Sequence, residues 1–149
     1  MQSSVRIISG LYGLVKPLDL IQPYRLEMGT KISFDNNNNL YEYWREKITN
    51  QLKSELSENE TVLNLASNEY FKAIDTKVIK SDVYSANFKQ LKEGNYKTIA
   101  IFSKKARGLM TRYIIDNKIT DISSLKSFDY DGYVYDENLS SDRELVFTR

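Results

Sequence analysis

A chain of 149 residues, 41% hydrophobic and 28% charged, is long enough to bury a core and has the composition of an ordinary globular protein. It contains no cysteine and no histidine, which excludes disulfides, thiolate chemistry and the usual neutral-pH general base, and leaves acid–base work to Asp, Glu, Lys or Tyr. A net charge of +1 argues against bulk attraction to nucleic acid, but the charge is unevenly placed. Residues 94–115 carry five cations (Lys97, Lys104, Lys105, Arg107, Arg112) and no acid, whereas residues 116–149 carry eight acids against four cations. One local basic face is therefore expected. No apolar run approaches the roughly 20 residues of a membrane-spanning helix, and "MQSSVRIISG" lacks the pattern of a secretory signal.

In chain order, "VRIIS" (5–9) reads as a short strand ended by Gly10. The next stretch, "GLYGLVKPLDLIQPYRLEMGT" (10–30), combines breakers with apolar residues and reads as a long ordered crossover. Gly10 and Gly13 permit positive φ or close backbone approach, and Pro17 and Pro23 stiffen the chain. Within it "YRLEM" alternates Tyr24, Leu26 and Met28 against Arg25 and Glu27, as a strand with one buried face would. "DNNNN" (35–39) is a loop. Leu40, Trp44, Ile48, Leu52 and Leu56 then mark an amphipathic helix entered from an asparagine cap.

"TVLNLAS" (61–67) reads as a strand and Ser67 as the N-cap of a short helix, "NEYFKAI". Two strands are expected around Val78–Phe88 and Tyr96–Ser103, joined by the turn "KEGN". Residues 104–118 read as a helix capped by Ser103, 122–128 as a shorter helix, "DYDGYVY" as a tight turn with strand flanks, and "ELVFT" as a closing strand. The sum is an α+β (mixed α/β) chain: one compact domain over 1–149, with a mixed sheet flanked by helices.

"SKKARGLMTRYII" holds the most informative pattern. Ala106, Leu109, Met110, Tyr113 and Ile114 share one side at helical spacing; Lys104, Lys105, Arg107, Gly108, Thr111 and Arg112 share the other, with Ile115 the exception. A glycine amid cations on an outer face costs about 1 kcal/mol relative to alanine, and would let a bulky anion such as a phosphate backbone come close. The plainer alternative is a solvated basic face with an incidental glycine. In "NLASNEYFK", Glu69 caps its helix or acts as a base, and Lys72 lies one turn on, within reach of a phosphate. Arg25 and Glu27 share a face of "YRLEM", close enough to pair. The acids of "DYDGYVYDE" (Asp129, Asp131, Asp136, Glu137) contain an Asp-x-Asp-Gly fragment without the rest of a calcium loop and read as a solvated turn. No metal, no cofactor and no catalytic residue is assigned.

Together "ISGLYGLVKPLDLIQPYRLEMGTK", "NLASNEYFKAI", "SKKARGLMTRYIIDNKI" and "GYVYDENLSSDRELVFTR" resemble the YaaA family of bacterial peroxide stress resistance proteins, in order from about Arg6 to Arg149. The family's initial strand, its "SPAK"-like segment and a helix-hairpin-helix-like element have no counterpart, so the chain looks like the C-terminal part of a family member, truncated relative to it. The resemblance implies a cytoplasmic protein that limits iron-dependent peroxide damage and binds duplex DNA, with little sequence preference, through a positively charged cleft. Arg25, Lys72, Lys104, Lys105, Arg107 and Arg112 stand at family-motif positions and are the expected phosphate contacts. Two other readings stand beside this one: a carboxylate- and metal-dependent enzyme on a nucleotide or nucleic acid, using Glu27 or Glu69, and a fragment inactive on its own. A binder is favoured over an enzyme.

Overall fold

A computed structural model describes every residue from Met1 to Arg149. It is α+β, and the chain divides into two compact units. The first comprises 1–61 and 66–82; the second comprises 62–65 and 83–149.

In the first unit, β1 (Ile7–Ser9) and β2 (Gly13–Val15) form an antiparallel hairpin with Ser9 opposite Gly13. The sequence reading found β1 but not β2, because three residues beginning with glycine carry too little alternation to announce a strand. The two glycines do different things. Gly13 has φ 74°, in the left-handed region that disfavours side chains. At Gly10 a Cβ would lie 2.4 Å from the Leu26 carbonyl oxygen, so this glycine lets residues 24–28 pass against the hairpin. Trp44 fastens the turn: its indole N–H donates to the Gly10 carbonyl (2.9 Å), and its ring occupies the space a Gly13 Cβ would take.

Residues 16–39 form no helix and no ladder strand. The strand expected at "YRLEM" is absent, and its alternation survives only in part: Met28 is fully buried, Leu26 half-buried, and Arg25 and Glu27 exposed, but Tyr24, expected on the buried face, is exposed as well. Period-two patterning reports which side chains are buried; it forms a strand only where a neighbouring strand supplies hydrogen bonds. Helix α1 (Leu40–Glu55) matches expectation. Asn39 Oδ1 accepts from the Glu42 N–H (3.0 Å), the Glu42 carboxylate accepts from the Asn38 N–H (2.8 Å), and Leu40, Ile48 and Leu52 are buried. At its far end Glu55 receives Arg6 (2.5 Å) and Lys16 (3.3 Å), which ties the hairpin and the segment after it to the helix. Helix α2 (Asn68–Phe71) is a single turn; Ser67 sits at its N-cap but makes no capping bond with its side chain. Thr76–Val78 is a 3-10 turn, so the next strand starts five residues after the expected Val78.

The second unit is built on β4 (Val83–Lys92). Its sheet runs β3 (Val62–Asn64), β4, β7 (Glu144–Thr148), β6 (Val134–Tyr135), and β5 (Asn95–Lys97) pairs with the distal end of β4. The β3–β4 and β4–β7 pairs are parallel; β4–β5 and β6–β7 are antiparallel. The turn between β4 and β5 is made by Glu93 (φ 52°) and Gly94 (φ 75°), the paired positive values of a primed hairpin turn. The second strand of that hairpin is much shorter than Tyr96–Ser103. Helix α3 runs Ala100–Asp116, entered from Ile99 without a side-chain cap, and Ser103 is buried inside it rather than capping it. "TIAIFS" has strand propensity, and the packing of α3 over β4 overrides it.

Ala106 and Met110 of α3 pack into a core with Ala86, Phe88, Leu125, Phe128, Tyr133, Leu145 and Phe147. Phe88 stacks on Phe147 (5.3 Å between centroids) and meets Tyr133 (5.3 Å) and Phe128 (5.9 Å) edge-on. The 3-10 turn Ser123–Ser127 brings Leu125 into this core, and a second turn, Tyr130–Gly132, leads into β6.

Phe88→Ala should cost about 3–5 kcal/mol, read as a lower midpoint in urea unfolding followed by near-UV circular dichroism. The pH dependence of the Glu55 cluster follows from its partners. Burial pushes the carboxyl up, but hydrogen bonds from Gln51, Arg6 and Lys16 outweigh it and hold Glu55 below the ordinary value of 4.5. The stabilisation is complete above that value and lost as pH falls through the lower folded value. Glu55→Gln should therefore flatten the acid limb of a plot of melting temperature against pH.

Candidate functional site

Four of the six expected phosphate contacts lie on α3, and the structure shows why three of them, Lys104, Lys105 and Arg112, face outward. The packed side of the helix is spent on Ala106 and Met110, both fully buried, with Leu109, Tyr113 and Ile114 half-buried beside them. Helical geometry then turns Lys104, Lys105, Gly108 and Arg112 to the opposite side, and all four are exposed. Lys104, Lys105 and Arg112 stand three or four residues from Gly108, which makes them its neighbours on the helix surface. A Cβ built at Gly108 meets no heavy atom within 4 Å. Packing within this chain does not require glycine here, and the space above it is open.

The charges around that opening differ in their partners. Lys104 is exposed and bonded to nothing. Lys105 pairs with Asp131 (3.1 Å) and Arg112 with Asp116 (2.6 Å), whose hydrogen bond raises the arginine's pKa further. Arg107 is half-buried, donates from Nε to the Ser103 carbonyl (3.2 Å), and has its pKa lowered by burial. The acidic residues 116–149 thus supply part of the counterion for the basic helix, at Asp116 and Asp131.

Asp131 is the feature that sequence reasoning missed. It adopts φ 58° in the turn before β6 and is followed by Gly132 at φ 75°. Its second carboxylate oxygen takes Arg149 (2.6 Å), which also donates to the Asp131 carbonyl (2.8 Å). The Arg149 guanidinium lies over the rings of Tyr133 (4.7 Å) and Phe102 (5.2 Å), and its Nε donates to the Gln90 side-chain oxygen (2.7 Å). The hydrogen bond from Lys105 is the main cause of the lowered Asp131 pKa; partial burial opposes it and the Arg149 charge adds to it. The Asp-Gly pair signalled a turn, but nothing in the sequence tied that turn to a helix 26 residues earlier.

The remaining two candidates lie in the first unit. Arg25 is almost fully exposed and pairs loosely with Glu27 (3.9 Å), on the shared face the sequence suggested. Lys72 closes α2 and edges a shallow, open hollow with Asn68, Phe71, Ile74 and Thr76. Glu69 neither caps its helix nor stands free as a base. Its Oε1 accepts the Gly29 N–H (2.8 Å), and the same side chain lies against Gly29, so it joins α2 to the "YRLEMG" segment. Neighbouring Tyr41 and Tyr70 have raised pKa values, chiefly through burial and then through the Glu69 charge. No helix is long and apolar enough to cross a membrane.

The site and fold thus define an α+β protein with one outward cationic helix. Comparison with known sequences places it more closely. The sequence profile of a family described as "Peroxide stress protein YaaA" matches residues 1–139, and the chain belongs to that family. It is 54% identical over 149 residues to UPF0246 protein FP0718 of Flavobacterium psychrophilum, a match covering all of this chain and 59% of that protein. UPF0246 proteins of Saccharophagus degradans (53% identical over 150 residues; 99% of this chain, 59% of the relative) and Aliivibrio fischeri (54% over 150 residues; 99% and 58%) are similar to it to the same degree. The chain thus spans about 59% of the length of the curated relatives it matches.

Because the space above Gly108 is open and its φ is ordinary, Gly108→Ala should stabilise the protein by about 1 kcal/mol in chemical denaturation. A neutral or destabilising result would mean that the helix surface there is less open than its geometry shows.

Proposed function

We propose that this chain serves the peroxide stress response of its family by binding the phosphate backbone of duplex DNA along the outer face of α3, with little dependence on base sequence. The observation that carries this reading is the open surface at Gly108, ringed by Lys104, Lys105 and Arg112. A helix interior position that gives up about 1 kcal/mol of propensity without a packing reason is accounted for if something must approach the backbone there. Exposed cations on three sides suit an anion with repeated charges. Phosphate contacts position a protein on DNA without reading sequence, which fits a face whose exposed cations are ammonium and guanidinium groups, two of them paired with carboxylates.

Arg107 contributes to the field of the same face, while Arg25 and Lys72, exposed in the first unit, are proposed as further phosphate contacts. Binding of this kind protects DNA by occupancy and needs no catalytic residue. It also agrees with the absence of histidine and cysteine, and with the engagement of Glu69 by a backbone amide. A cytoplasmic location, where DNA is accessible in a bacterium, belongs to the same proposal.

Fluorescence anisotropy of a labelled 20-base-pair duplex tests it. Affinity should fall steeply with salt, with a slope of about −0.9 for each phosphate neutralised, and should change little when the base sequence is scrambled. Lys104→Glu/Arg112→Glu should weaken binding at least tenfold and lower the salt slope by about two. An unchanged affinity in that folded double variant removes α3 from the interface. Gly108→Ala supplies a second check, since it should weaken binding while raising stability.

A further inference from the structure

Lys105 and its partner are unequally held. Asp131 is fixed from behind: Arg149 binds its carboxylate (2.6 Å) and its carbonyl (2.8 Å). Arg149 is itself wedged between the Tyr133 and Phe102 rings and bonded to Gln90. Its backbone N–H donates to the Lys89 carbonyl (3.2 Å), and its carbonyl accepts from the Leu91 N–H (2.9 Å), so the clamp rests on the longest strand of the sheet. Lys105, by contrast, is 60% exposed on a flexible four-carbon stem, and its pair with Asp131 is the only bond its ammonium makes. When an anion draws Lys105 away, the lysine moves and the carboxylate stays.

We propose, building on the reading of α3 as a phosphate-binding face, that Asp131 is a specificity-determining residue: a fixed carboxylate that a ligand must outcompete for Lys105, so that the face responds to runs of phosphates and rejects single ones. A lone phosphate arriving at Lys105 replaces one anion by another and gains little, while it meets the Asp131 charge at close range. A polyanion engages Lys104 and Arg112 as well, and neutralising several cations at once offsets the exchange at Lys105. Arg149 is a positioning residue in this scheme. It keeps Asp131 beside α3 and offsets part of its charge.

Asp131→Asn tests the idea with little risk to the fold, because asparagine is among the residues that best tolerate the left-handed conformation this position holds. It also retains an oxygen to accept from Arg149. Duplex affinity, measured by anisotropy in low salt, should rise three- to tenfold in this variant. Binding of inorganic phosphate, followed by the shift of the Lys105 side-chain NMR signals, should tighten by a larger factor than duplex binding, and an equal factor overturns the role in specificity. Arg149→Gln, which unfastens Asp131 from its place beside α3, should act on the duplex in the same direction as Asp131→Asn but more weakly, because a cation is lost as well. Equal or weaker duplex binding by Asp131→Asn, with wild type still sensitive to Lys104→Glu, overturns the role of Asp131 and leaves the DNA-binding reading standing. Absence of duplex binding by both wild type and Asp131→Asn overturns both. Binding that appears only in Asp131→Asn means that the wild-type face rejects runs of phosphates as well as single ones, and overturns the discrimination proposed here.

Discussion

The packing of Phe88 is the constraint on which the second unit depends. The ring sits on β4, the strand that pairs with β3, β5 and β7, and it touches Phe128, Tyr133 and Phe147 at once. Because those three rings come from different parts of the chain, their convergence fixes where the turn before β6 can lie and how β7 registers with β4. The same core receives Ala106 and Met110, and that sets the rotation of α3. The outward direction of Lys104, Lys105, Gly108 and Arg112 is thus a consequence of what is buried on the other side. The apolar half of the helix decides which way the charged half points.

How much of this could be read from the sequence depends on how local the cause was. Helix α1 announced itself because its cap and its four-residue apolar spacing lie in one continuous stretch and agree with each other. The outer face of α3 was legible for the same reason. The start of α3 was not, since Thr98 to Ser103 favours a strand by composition and only packing against β4 turns it into helix. The short strand β2 was hidden by its glycine, and "YRLEM" showed a strand's alternation without a partner to pair with. Glu69 looked like a helix cap because capping acids stand at such positions; its actual partner, Gly29, is forty residues away.

The site shows the same division. Where the cations lie was legible; what holds them in check was not. Asp116 is within one turn of Arg112 and could have been paired with it by spacing alone. Asp131 reaches Lys105 only because a left-handed residue and a following glycine turn the chain back toward α3, and because Arg149 comes alongside at the end of β7. A net charge near zero says nothing about such arrangements. Here two of the chain's twenty acids, Asp116 and Asp131, lie within bonding distance of the basic helix, and the face they partly neutralise keeps one ammonium, that of Lys104, free.

The order of strands in the sheet carries a consequence for how the chain reaches its native state. Residues 62–65 belong to the second unit, residues 66–82 return to the first, and β7, the last strand in chain order, lies inside the sheet between β4 and β6. A ribosome therefore delivers β3, β4, β5 and β6 before the strand that joins β6 to the others. Until β7 arrives, one long side of β4 has its amides and carbonyls unpaired, and Phe88 lacks the ring it stacks on. Parallel pairing across so many intervening residues is slow because the loops must close first, and an open strand side invites pairing with other chains. The emerging polypeptide is most vulnerable in that interval, when a chaperone that shields β4 would have the greatest effect on yield.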